Sequence, residues 1–520
     1  MSTLNHYGHE LARRLRQARS LIDARNHRDS SQEKVNVVGA GGVLTAAYEQ
    51  LRNAAENTEE HLLLQNAIRR FLRQLFITRD QSLIARSGNE LVVELTLAGY
   101  VPNDSLTKQQ VEQLSSIITR HYTAYDRLLE RREASTEQVS KWTLDVAAVE
   151  AEAVIGDHTI EAVFVQFVYE QLSAAITSQA VFGCEIDDYA VTLYVAIHRA
   201  LLKSDDATIR TQLLQYYQVN QHDLDQYTAY NQRIDTVLDA DTTDKLYHVV
   251  DRQGAPFRIL RRMLEDQPDV PNLLERRSVF LDAYEHQINA EYEHTGQRIN
   301  RGVFRSVVFL VITKVLIGLA IELPYDLWTY GVIVWLPLVV NMLFPPLYML
   351  LLRATYRLPS YANTTALVDR IDTMLYGEKL TLQRSRLIGR SYGPIFSVVY
   401  VCISIIIFAG VLYLLLMMNF ALVHIAIFFV FLSAASFLGF RLSRLIREIE
   451  VGRSAQNGMT FVRDLVFLPF VVVGRWMSDK YSRVNIVTII LDMLIELPLK
   501  TVLRLVRQWG AFIDDRKDQM

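Results

Sequence analysis

The stretch IFSVVYVCISIIIFAGVLYLLLMM, Ile395 to Met418, is followed after Asn419 by FALVHIAIFFVFLSAASFLGF, Phe420 to Phe440. Neither run contains Asp, Glu, Lys or Arg, and each exceeds the ~20 apolar residues a helix needs to cross a bilayer core about 30 Å thick. Hydrocarbon offers the backbone no water, so a helix is how such a run satisfies its own N–H and C=O groups. The pair predicts two membrane-spanning helices in a tight hairpin that turns at Asn419.

Upstream lies a less regular apolar pair. Ser306 to Ile321 is short for a span and carries Lys314 near its middle, while Thr329 to Leu352 is interrupted by Pro337, Asn341 and the pair Pro345 and Pro346. Prolines free backbone groups that only neighbouring protein or water can satisfy at membrane depth. A second hairpin is expected, kinked at Pro337, Pro345 and Pro346 and connected by Glu322-Leu-Pro-Tyr-Asp-Leu-Trp328.

The positive charges orient these hairpins. The segment between them holds Arg353, Arg357, Arg370, Lys379, Arg384, Arg386 and Arg390, and the second hairpin is followed by Arg441, Arg444, Arg447 and Arg453. Neither tip has a Lys or Arg, so both termini and the middle loop are expected in the cytoplasm, with Glu322 and Asp326 at the far side near Trp328 and Tyr330.

The 520 residues carry a net charge of −3, which favours no polyanionic partner, and nucleic acid is not expected to be one. Cys184 and Cys402 are the two cysteines, one in the polar half and one in a span, so no disulfide framework is expected. The N-terminus lacks the apolar core of a secretory signal, and the polar half is expected to stay in the cytoplasm.

Across that polar half the apolar residues recur at three- and four-residue steps, from Thr45 to Ile77 and again at 108–132, 136–155, 158–179, 187–203, 206–218, 221–250 and 272–300. The fold class that follows is all-α, a polytopic helical membrane protein with a large helical N-terminal domain. Its expected parts are a basic amphipathic segment and linker (1–44), the helical domain (45–302), the first hairpin (303–352), a basic loop (353–393), the second hairpin (394–440) and an amphipathic tail (441–520). Leu11, Leu15, Ala18 and Ile22 share a face that can lie on anionic lipid or pack on the domain. Anionic lipid contacts are expected through Arg13–Arg28 and through Arg441–Arg453. Asp464 to Gly474 is too short to cross and should be interfacial or buried in protein, whereas Val484 to Trp509 is an apolar helix with one polar stripe, including Glu496 and Lys500. Ile-Glu-Leu-Pro occurs at 321–324 and again at 495–498, which in leucine-rich sequence is best taken as coincidence.

Several motifs suggest chemistry and fail on inspection. KVNVVGAGGVLTAAYEQL, Lys34 to Leu51, begins like a dinucleotide-binding turn, but the third glycine position is Leu44 and helices follow instead of a parallel strand. Gly389-Arg-Ser-Tyr-Gly393 matches a nucleophile elbow, yet Ser391 precedes Pro394 and a span, without the required strand. Glu291-Tyr-Glu-His294, with Glu285 and His286, lacks the second motif a di-metal bundle requires. No cofactor, metal or catalytic residue is therefore assigned.

The costly residues are the ionisable ones near the membrane: Lys314, Glu322 and Asp326, with Asn341 and His424 behind them. They suggest either a polar path for a charged solute or a purely structural arrangement. In the latter, Lys314 pairs with Asn341 or a backbone carbonyl while Glu322 and Asp326 sit in water beyond the helix end. The structural arrangement is preferred, since only Lys314 must lie at depth.

AYEQLRNAAENTEEH (Ala47 to His61), TKVLIGLAIELPYD (Thr313 to Asp326) and NMLFPP (Asn341 to Pro346) resemble a group of uncharacterised multi-span proteins of Patescibacteria-type bacteria. The resemblance implies a bacterial cytoplasmic (inner) membrane and no particular activity. The expected role is a non-enzymatic membrane-anchored scaffold that presents the helical domain to protein partners and that can assemble as a homo-oligomer. The alternative is a transporter or channel for an ion or small charged solute that uses the kinked first hairpin.

Overall fold

A computed structural model describes residues 4–37, 45–46, 49, 52, 62–220, 222–377, 394–451 and 458–483. Among these the fold is all-α, and Lys34 forms only an isolated antiparallel bridge with Thr107 where the nucleotide-binding strand would have been. The glycines that follow it, Ser391, the Val484–Trp509 helix and the second Ile-Glu-Leu-Pro all lie outside the described residues.

Helix α1 (His6–Ser30) buries Leu11, Leu15 and Ala18. Arg14 pairs with Glu10 at 2.7 Å and Glu170 at 2.9 Å, and Arg25 donates to Val154 O at 2.8 Å. The apolar face that a surface-lying helix would bury in lipid is thus used inside the protein.

The chain divides into two compact units, and the first comprises Glu10–Ser173 and Glu185–His248 among the described residues. It contains α2 (Leu63–Thr78), α3 (Ser87–Leu97), α4 (Lys108–Arg131), α5 (Thr136–Ile155), most of α6 (Thr159–Ala175), α7 (Tyr189–Ile197), α8 (Asp206–Tyr216), α9 (Leu224–Leu238) and the start of α10 (Asp241–Gln253). The starts are chemically marked. Thr107 with Gln110 and Ser135 with Gln138 form reciprocal capping boxes, while Asp205 and Asp223 accept from Thr208 N and Gln226 N. The periodic faces then meet in one core that includes Ile68, Leu72, Leu114, Ile118, Trp142 and Ile234. The periodicity at 221–250 resolves into two helices: α9 ends at Leu238, and α10 opens with Asp241 and Asp244 in its first turn, where carboxylates favour the helix dipole.

The second unit holds residues 4–9, Ala174–Cys184 and 249–483. It adds α11 (Ala255–Asp266), a helix not expected from the sequence, whose Pro256 occupies the first turn without loss because that N–H has no helical acceptor. The long α12 (Arg277–Ile317) follows, then a π turn (Gly318–Glu322), α13 (Leu323–Tyr330), α14 (Trp335–Thr355), α15 (Tyr361–Tyr376), α16 (Pro394–Met417), α17 (Leu422–Arg447) and α18 (Gly458–Arg483). The sequence division at 302/303 falls inside α12, which runs without interruption from polar to apolar composition.

Among the described residues, four helical runs are long and apolar enough to cross a membrane: Arg277–Tyr330, Trp335–Thr355, Ile395–Met417 and Leu422–Arg447. The first is no short segment, because the π turn carries the helix past Ile321 and through Pro324. Leu323 N–H reaches back to Gly318 O, five residues away, and this wider turn relieves the clash that Pro324 would make with the preceding turn of an α-helix. Helix α14 likewise continues through its prolines. Pro337 is its third residue, where no helical N–H is needed, whereas Pro345 and Pro346 deprive the carbonyls of Asn341 and Met342 of their usual partners.

Helix α17 is the most deeply packed of the four. Phe431 and Ala435 join Ile299, Val303, Leu310 and Met349 in one cluster. The Asp464–Gly474 segment lies within α18, where Phe467, Phe470 and Val471 are buried. Gly474 sits so close to α17 that an added Cβ would lie 2.3 Å from Ser433 O, the close backbone approach that small residues allow between helices in lipid.

Candidate functional site

Lys314, in the last turn of α12, Glu322, which ends the π turn, Asp326 of α13, Asn341 of α14 and His424, in the first turn of α17, converge in the second unit. All five are between 0 and 2 % exposed. Lys314 Nζ donates to Glu322 Oε1 at 2.5 Å, and Asn341 Nδ2 donates to the same oxygen at 2.9 Å and to His424 O at 3.2 Å. The ammonium also lies 5.1 Å from the centroid of the Phe431 ring, a favourable placement for a desolvated cation.

Asp326 and His424 form the other half of the cluster. Asp326 Oδ2 accepts from Val334 N at 3.0 Å, which ties the start of α14 back to α13 across the turn at Gly331. Asp326 Oδ1 stands 3.4 Å from His424 Nε2, within ion-pair range but not aligned as a hydrogen bond. Glu322 Oε2, Asp326 Oδ1, Asn341 Oδ1 and both ring nitrogens of His424 are buried without a hydrogen-bond partner.

This differs from the structural arrangement preferred on sequence grounds. Lys314 takes Glu322 as its partner, not Asn341 or a carbonyl, and Glu322 and Asp326 are enclosed by protein instead of lying in water. The reason is the π turn: with the helix continuing past Pro324, Glu322 and Asp326 are inside a packed run and not beyond its end. Sequence spacing could place Lys314 and Glu322 on roughly one face. It could not bring in His424, which comes from the other hairpin.

The remaining candidates stay apart. Glu285, Glu291, His286 and His294 lie on α12 with their side chains partly or fully exposed, and among the described residues no group of three or more His, Cys, Asp or Glu is placed to hold a metal ion. Cys184 and Cys402 are free. A cleft of about 410 Å³ in the first unit is lined by Ser116, Thr119, Arg120, Thr123, Arg127 and His222, but Arg120 is paired with Glu150. Burial opposes the charge on Glu150, and the hydrogen bond from His121, together with Arg120, outweighs it and holds this carboxyl below its ordinary range.

Comparison with known protein families, with curated proteins and with solved structures finds no match to this chain.

Proposed function

We propose that the chain is an integral protein of a bacterial cytoplasmic membrane, with both termini in the cytoplasm, that moves an ion or small charged solute through the cluster built on its first hairpin. The observation that carries this reading is the burial of Lys314, Glu322, Asp326, Asn341 and His424 together, with five polar atoms unpartnered, among helices long enough to span. Placing ionisable groups in hydrocarbon is costly, and where they occur they mark ion or substrate pathways. The proline pair leaves the carbonyl oxygens of Asn341 and Met342 without their helical N–H donors beside the cluster, and at membrane depth such groups need protein or water as partners. A scaffold role accounts for the first helical unit but gives no reason for the buried charges. The role is non-enzymatic.

The test uses full-length protein in phosphatidylethanolamine–phosphatidylglycerol vesicles, with gradients of protons, sodium, potassium or chloride imposed in turn and a voltage-sensitive dye as readout. Flux above that of protein-free vesicles is expected for at least one ion and should be lost in Glu322→Gln. Dissipation at the protein-free rate for every ion, or full flux in a folded Lys314→Leu protein, defeats the reading.

A further inference from the structure

We infer that the cluster holds one exchangeable proton between Asp326 and His424, and that the proton is a species this pathway handles. The inference rests on the reading of the cluster as a membrane pathway and names what it binds.

Charge balance gives the first argument. Lys314 and Glu322 cancel at 2.5 Å and are tied together by Asn341. Asp326 would then leave one uncompensated negative charge in a fully buried site, an arrangement that proteins avoid by pairing or neutralising the group. One proton on either Asp326 or His424 brings the cluster to neutrality.

Geometry gives the second. Asp326 Oδ2 is engaged by Val334 N, so Oδ1 is the oxygen left to carry a proton, and it faces His424 Nε2 at 3.4 Å. Neither atom has another partner. Transfer between them is balanced without a further reactant: the Oδ1–H bond breaks, its electron pair stays on the carboxylate, and an N–H bond forms at Nε2. The neutral pair thereby becomes an ion pair of the same total charge. A divalent cation lacks a comparable ligand set among the described residues.

The titratable groups that face this pair from the surrounding helices are Lys314 of α12, Glu322 of the π turn, and Tyr325 and Tyr330 of α13, while α14 presents Asn341, which does not titrate. Tyr325 lies edge-on to His424 with ring centroids 6.0 Å apart, and Tyr330 lies 6.3 Å beyond Tyr325 and is half exposed. That series of rings runs from the pair to the exposed C-terminal end of α13.

The test is infrared difference spectroscopy in H₂O and D₂O, with imidazole ¹⁵N spectra, on the full-length protein in the same vesicles at neutral pH. One proton equivalent is expected, seen either as a neutral-carboxyl stretch that vanishes in Asp326→Asn and shifts in Asp326→Glu, or as an imidazolium signal that vanishes in His424→Gln. Absence of both signals from the wild-type protein overturns the proposal. Flux that persists with neither signal removes only the proton site. One of these signals without any flux leaves the proton site standing and removes the transport reading.

Discussion

Lys314 and Glu322 are eight residues apart, and their side chains meet at 2.5 Å with both residues almost wholly enclosed. Along an α-helix eight residues advance about 12 Å; the long lysine stem spans much of that rise, and the intervening π turn changes the face on which Glu322 emerges. Lys314→Leu strands the carboxylate and should destabilise the protein by about 3–5 kcal/mol, whereas Lys314→Leu combined with Glu322→Leu should recover most of that loss, because two apolar side chains need no compensation. Thermal midpoints of the detergent-solubilised single and double variants check this. If the double variant is as unstable as the sum of the singles, the two residues are not coupled.

The same pair marks how much of the fold was legible in the sequence. The hairpin across Asn419 and the helices at 108–131 and 136–155 could be read closely, since apolar length and a 3.6-residue period report burial directly and Thr107 and Ser135 cap where the pattern begins. Helix α11 was missed because it sits between short connectors with a proline in its first turn, which from sequence alone looks like a break. The cluster was half legible. Lys314, Glu322, Asp326 and Asn341 stand out as polar residues near apolar runs, but Pro324 signals a helix end unless a π turn is known to precede it. His424 reaches Asp326 only through the packing of α17 against α12 and α14, which no local pattern encodes.

Arg210 offers a test of buried charge in the first unit. Its guanidinium is fully enclosed, paired with Asp235 and bonded to Asn231 Oδ1 at 2.9 Å, while Asp235 also accepts from Trp142 Nε1 at 2.8 Å. Asp235→Ala removes the carboxylate paired with Arg210 and one partner of the buried indole, and a loss of about 3–5 kcal/mol is expected. Asp235→Asn keeps one acceptor oxygen where the guanidinium and the indole use one carboxylate oxygen each, so it satisfies one of the two donors and should lose less, as unfolding midpoints will show. Equal losses would mean that the charge on Asp235 is what matters and that its acceptor geometry is not.

Asp205 sets part of the acid limb. Burial opposes its charge, but the Arg69 guanidinium at 2.8 Å and the N–H and hydroxyl of Thr208 outweigh this and hold the carboxyl below its ordinary range. A group depressed in the folded state contributes stability that is complete above its unfolded pKa, about 3.9, and is lost as pH falls through the folded value. Asp205→Asn preserves the cap on α8 and removes the charge. Its midpoint should therefore fall below wild type at neutral pH and converge with it at strongly acid pH. A constant gap across the whole range would assign the effect to packing instead of ionisation.

Gly88 is required for steric reasons alone. Its N–H donates to Ser115 Oγ at 3.0 Å, and a Cβ built on it would lie 2.2 Å from Val111 O, 2.5 Å from Ser115 Oγ and 2.8 Å from Ser115 N. Two of these three obstacles are backbone atoms of α4, so the neighbour cannot yield by a side-chain rotation, and α3 must move away from the core that Leu91 and Leu114 share. Gly88→Ala is expected to cost about 1–3 kcal/mol, the range for overpacking a well-filled interior. Ser115→Ala added to it should not restore the midpoint, because Val111 O remains in place. Gly183 supplies the contrast: its φ is +76° with nothing within 4 Å of an added Cβ, so Gly183→Ala should lose only the ~1–2 kcal/mol of a left-handed alanine. If Gly88→Ala proves no worse than Gly183→Ala and Ser115→Ala rescues it, then α3 and α4 are not in backbone contact at this point.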